Sequence, residues 1–218
     1  MSRAEINLER LFEAVKKSVE EIERILQVKD SVREEIIRIS RDIIRLSGDV
    51  ITYVHTGDLE KARESLKRAE DLVRNVMQLV ESHPELKYSG IINNALSEFI
   101  EATLLLRLVS SGDIPTFSDL GFHYIPYLNG LCDFVGELKR MAIDAMRRDD
   151  YSYAQKLLQL MEWIYNEVRK LDYPEALVPG LRHKVDVMRK VIEDLRTFLL
   201  DLEKRWTLIR MLEKHTVS

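Results

Sequence analysis

The chain has one cysteine, five prolines and eight glycines among 218 residues, and aromatic side chains make up only 7% of it. A single cysteine excludes an internal disulfide framework and a Cys-rich zinc site, which points to an intracellular, cytoplasmic setting. So little Gly and Pro leaves few chain breakers, and the period-two signals of strands are nearly absent, which excludes a sheet fold. There is no run of 18 consecutive apolar residues, so no segment is expected to span a membrane. The opening MSRAEINLERLFEAVKK carries acids from Glu5 onward and lacks the apolar core of a secretory leader. With 33 Lys and Arg against 37 Asp and Glu, the formal charge is only -4, and no global field of either sign selects a partner.

What the chain has is helix-forming residues, 45% hydrophobic and 32% charged, with apolar positions recurring every three and four residues. That pattern predicts an all-α protein, an elongated seven-helix bundle forming one domain over residues 1–218. The first helix is expected from about Ala4 to Gln27, burying Ile6, Leu8, Leu11, Phe12, Val15, Val19, Ile22 and Leu26. Asp30 and Ser31 read as caps of a second helix, which ends near His55 where Thr56, Gly57 and Asp58 stop it and start a third over Leu59 to Ser82. A fourth follows Pro84, and the fifth is expected from about Ile125 to Arg148. The sixth runs from about Tyr151 to Lys170 and the seventh from about Leu181 into the C-terminal tail. Trp206, Leu208, Ile209, Met211 and Leu212 near that end read as interface material.

Two helix-length runs stand out because they are apolar yet contain carboxylates. Between Ile91 and Val109 the only charges are Glu98, Glu101 and Arg107, and between Tyr124 and Leu138 they are Asp133 and Glu137. Helices this apolar belong in a core, where an unpaired carboxylate needs a cation, a donor or a proton. Glu98 and Glu101 are three apart and Asp133 and Glu137 four apart, so each pair shares a helix face. Brought together, the four acids would make a site for a hard divalent cation; an all-carboxylate set without His or Cys selects Mg2+ or Mn2+ over zinc. The bland alternative is a buried ion pair with Arg107 or another arginine. The five histidines are dispersed, and none follows a Glu by three residues, so the di-iron Glu-x-x-His pattern is missing. Cys132 reads as a small buried apolar residue.

Metals held by carboxylates suit phosphoryl chemistry, the hydrolysis of a phosphodiester or a pyrophosphate. Arg38, Arg41 and Arg45 share a helix face that could hold phosphates or neutralise the acids, or could be a solvated face paired with neighbours such as Asp42. Lys139 and Arg140, with Arg147 and Arg148, form a second basic patch. Phe122, Tyr124 and Tyr127 nearby could stack bases, although aromatics on such a helix are more often core.

RISRDIIRLSGDVI, ALSEFIEA and YLNGLCDFVGELKR, in that order, resemble the translin family from about Val32 to Arg205. The Asp133 to Glu137 segment and Glu98-x-x-Glu101 are similar to the acidic segments of its catalytic subunit type, translin-associated factor X. The resemblance implies a Mg2+-dependent endoribonuclease acting on single-stranded RNA, with Glu98, Glu101, Asp133 and Glu137 as metal ligands. It also implies a homo-oligomer of barrel form, such as an octamer. Arg38, Arg41, Arg45, Lys139 and Arg140 are then expected to bind the nucleic acid, with single-stranded DNA as a further ligand. The rivals are a non-catalytic single-stranded RNA- or DNA-binding protein and an all-α nucleoside triphosphate pyrophosphohydrolase.

Overall fold

The computed structural model describes residues 7–87 and 89–216, apart from the side chains of 213–216. The expected helix start at Ala4 and the expected core residue Ile6 lie outside the described residues. Among those described there are seven α-helices and no strand: α1 (Leu8–Thr56), α2 (Leu59–Ser82), α3 (Gly90–Ser111), α4 (Phe117–Leu120), α5 (Tyr124–Met146), α6 (Tyr151–Val168) and α7 (Leu181–Thr216). The all-α expectation holds, but the seven are divided differently. The two helices expected before His55 are one continuous helix of 49 residues. Residues 27–33 contain no Gly or Pro, and the Ser31 hydroxyl donates back to the Gln27 carbonyl at 3.0 Å instead of capping a new start. The seventh helix is α4, a single turn closed by a capping box between Thr116 and Asp119.

The expected stop at Gly57 is present. Its φ of 82° is left-handed, its N–H reaches Val54 O, and the Asp58 N–H reaches Tyr53 O, while the Asp58 side chain caps α2. Helix α1 packs on α2 and α3, α3 on α5, and α5 on α6 and α7. The apolar run of α3 is correspondingly buried on nearly all sides, with Ile100, Leu104 and Leu105 completely enclosed. After α3 the chain turns back through α4, so that Phe122 packs edge-on against Phe99 at 5.9 Å. Helix α5 therefore starts again beside the middle of α3 and runs along it.

The first half of α1 differs from the expectation. Leu8, Leu11, Phe12, Val15, Val19, Ile22 and Leu26 are exposed, not buried, because this half of the helix extends past the body and none of the other described residues covers it. The buried face of α1 begins only at Ile36. At the other end of the chain α7 is buried as far as Leu199, beyond which Leu208, Ile209, Met211 and Leu212 are exposed and Trp206 packs edge-on against Tyr151.

Candidate functional site

The site is set by how closely α5 approaches α3. At Gly130 a Cβ would stand 2.6 Å from the Ser97 carbonyl oxygen and 3.0 Å from Ile100 Cβ, so only a residue without a side chain allows this contact. One turn further along α5 is Asp133, and a turn beyond it Glu137; Glu101 on α3 feels the charge of both. The two acidic pairs, each on one helix face, are thereby faced towards one another, and Glu98 likewise feels the charge of Asp133.

Glu101 is the innermost acid, 7% exposed. Its carboxyl is pushed up to about 8, first by burial and then by the negative charges of Asp133, Glu98 and Glu137, with Lys184 alone opposing. Half-buried Glu98 is also raised, by burial and then by Asp133. Arg107 is not their counter-ion: it is half exposed and pairs with Asp113 at 2.6 Å. The bland alternative in its Arg107 form is thus ruled out by geometry.

Two groups that sequence spacing did not single out complete the site. The Lys184 ammonium on α7 donates to both oxygens of Asp133 at 2.6 Å. His55, in the last turn of α1, places Nε2 2.5 Å from Glu137 Oε2 and Nδ1 3.7 Å from Asp144 Oδ2, with its side chain only 5% exposed. Arg140 stands 3.7 Å from Glu137. Lys184 lies 51 residues from Asp133 and His55 82 residues from Glu137, so no local pattern could have found them.

As the side chains stand, no three Asp, Glu, His or Cys groups among the described residues close on one point at metal-ligand spacing; Asp133 closes on Lys184 instead. In chemical type the set fits a hard divalent ion, being all oxygen and rich in negative charge. Glu101 supplies the structural sign of that fit, since a buried carboxyl among three others is short of positive charge. Cys132 next door is buried, and burial pushes its thiol up to about 12, leaving it inert as a soft ligand.

Of the basic residues expected to bind nucleic acid, Arg140 alone borders this cluster, through Glu137. Arg38, Arg41 and Arg45 are exposed on α1, on the side away from Ile36, Ile39 and Ile43. Arg38 lies 3.9 Å from Glu35, Arg45 lies 3.3 Å from Asp42, and Arg41 has no ion pair among the described residues. Lys139 bonds Asp194 at 3.2 Å. The aromatics considered for base stacking are engaged in packing: the Tyr124 hydroxyl donates to Leu177 O at 2.9 Å, and the Tyr127 hydroxyl to Pro115 O at 3.2 Å.

Comparison with known proteins adds four findings. The model of the Translin family matches residues 31–205. An uncharacterised protein of Methanocaldococcus jannaschii is 32% identical over 189 residues, spanning 84% of this chain and 83% of that protein. AfC3PO in complex with duplex RNA superposes with a TM-score of 0.78 at 30% identity, covering 86% of this chain and 97% of its own. At 22% identity, apo-NeC3PO shares the fold, with a TM-score of 0.72 over 91% of this chain and 98% of its own.

Proposed function

The chain belongs to the translin family, and on that premise we propose that it is an RNA-binding, metal-dependent endoribonuclease of the translin-associated factor X type, working as a homo-oligomer. The observation that carries the reading is Glu101: a carboxylate placed in the core among three other acids, with only Lys184 to offset them. A structural role would be served better by an apolar side chain, because an uncompensated buried acid costs stability and contributes nothing to packing. The similarity to a C3PO that holds RNA supports RNA as the substrate class. Translin membership leaves the pyrophosphohydrolase rival without support.

Glu98, Glu101, Asp133 and Glu137 would hold Mg2+ or Mn2+. When bound, the ion supplies a Lewis acid for phosphodiester hydrolysis. The protein's own groups do the rest. Lys184 clamps both oxygens of Asp133, and His55 holds Glu137 while Asp144 backs the imidazole. At neutral pH Glu101 keeps a proton until further positive charge reaches it. Arg38, Arg41, Arg45, Lys139 and Arg140 would hold backbone phosphates, which makes binding salt-dependent and tolerant of sequence.

A second reading, RNA binding without cleavage, is favoured by one observation: Lys184 already engages both Asp133 oxygens. The deciding experiment is cleavage of labelled single-stranded and duplex RNA with Mg2+ or Mn2+ and with EDTA, by wild type and by Glu101→Ala at matched oligomeric state. Metal-dependent cleavage that disappears in the variant is the expected result. Binding of RNA in EDTA with no cleavage under any divalent ion would overturn the enzyme in favour of the binding protein.

A further inference from the structure

Lys184 stands among the acids as a metal ion would. Its ammonium lies 2.6 Å from each oxygen of Asp133, equidistant from the two, as a bidentately held cation is. Glu98 and Glu101 on α3 both feel it as the charge that opposes their acidic neighbours. Glu137 is served separately, by His55 and Arg140. One positive charge thus faces three carboxylates drawn from α3 and α5. The lysine is not placed there for the sake of the helix that carries it. It lies in the first turn of α7, the end at which the helix dipole disfavours a cation. Nor is its stem shut in: the side chain is 28% exposed and borders a cavity of about 250 Å3 between α5 and α7, walled by Val187, Met188 and Val191. A flexible four-carbon stem with this much room can carry the ammonium away from Asp133 without moving either helix.

We propose that Lys184 is a built-in counter-ion that a divalent cation replaces: the ammonium and the ion hold Asp133 in turn, and loading the site frees Lys184 into the neighbouring cavity. This exchange rests on the metal-dependent reading above, and it makes the hold on Asp133 reversible, not fixed. Charge and distance both drive it. The ammonium offers a single charge to three acids and meets the Asp133 oxygens at 2.6 Å, whereas Mg2+ brings two charges to oxygens at about 2.1 Å. The two cations do not share the place. An ion bound by Glu98, Glu101 and Asp133 would lie beside the ammonium that all three feel, and adjacent cations repel. Before any ion is bound, the ammonium offsets part of the repulsion among the acids, so the chain can fold with Glu101 in its core.

The test follows Lys184 itself in the full-length wild-type chain, without reference to cleavage. Acetylation by an amine-reactive ester in EDTA should leave Lys184 largely unmodified, and saturating Mg2+ should raise its modification several-fold, read by mass spectrometry of its peptide. Lys61, held by Asp58 at the surface, is the internal reference and should not change. Asp133→Asn should make Lys184 reactive with or without Mg2+. In titration calorimetry Lys184→Met, with Lys184→Gln as its polar control, should bind Mg2+ about tenfold more tightly than wild type, because a neighbouring unit charge alters a carboxylate's affinity for a proton by about that factor or more. Protection of Lys184 that persists in saturating Mg2+ overturns the exchange. So does an affinity that is unchanged or lower in both variants, the result for a lysine that only orients Asp133; ion binding, and with it the ribonuclease reading, would then stand. If neither wild type nor the variants bind Mg2+ or Mn2+, the exchange falls together with the metal-dependent reading.

Discussion

The centre of the molecule and its N-terminal arm break the same rule in opposite directions. Where α3 and α5 meet, the Glu101 carboxyl is buried among apolar side chains with three partly buried acids beside it; on residues 8–28, apolar side chains face water. In the first region the missing component is positive charge, which Lys184 supplies only in part. In the second it is another apolar surface. Misplaced chemistry in a stable fold marks the places where something outside the chain is needed, and the sign of the misplacement names its kind.

The widest separation between the regions should come from one aromatic residue in each. Phe134 is fully enclosed and Phe12 is 69% exposed, so Phe134→Ala should cost about 3–5 kcal/mol in chemical denaturation, whereas Phe12→Ala should stay within about 0.5 kcal/mol in the dilute monomer. Comparable losses at both positions would mean that the arm is packed on the body after all.

Next in size is the pH dependence of the acidic centre. Because the folded carboxyl of Glu101 is raised to about 8 from 4.5, the folded state binds a proton that the unfolded state releases first. Its contribution is therefore fully present below about 4.5 and is lost as pH rises through about 8. Metal-free protein should lose on the order of a few kcal/mol across that window, and Glu101→Gln, which cannot titrate, should flatten the curve. Urea midpoints measured from pH 5 to 8.5 check this; an equal slope in both proteins would remove Glu101 as its origin.

A smaller change tests the close approach that faces the acids towards one another. Gly130→Ala sets a methyl group against the Ser97 carbonyl and should destabilise by about 1–3 kcal/mol, seen as a lower melting temperature together with weaker divalent-ion binding by calorimetry. Loss of stability with unchanged ion binding would separate the helix contact from the site. The least severe case is His55→Asn. Removing the imidazole behind Glu137 should weaken metal affinity by about 10- to 100-fold while leaving RNA affinity in EDTA unchanged, as gel shift and metal titration would report.

Much of this was legible in the sequence. The three- and four-residue periodicity gave helices at nearly the right places, and Gly57 with Asp58 marked a real boundary. The low charge of the α3 and α5 runs correctly implied burial, which made their four acids conspicuous before any fold was known. Asp30 and Ser31 misled, because a capping residue type does not end a helix when no breaker follows and the hydroxyl can bond back one turn. The arm misled for a related reason: periodicity shows that a helix has an apolar face but not what covers it.

Sequence alone thus determined the helical class, the pairing of acids on two helix faces and the apolar stripe of the arm, since all three depend on spacing within a single helix. Tertiary structure alone decided that the two acidic faces meet across Gly130, that Lys184 and His55 rather than Arg107 answer them, and that the arm projects free of the body. Those outcomes join residues far apart in the chain. They are set by which helices pack and how closely, and no local period carries that information.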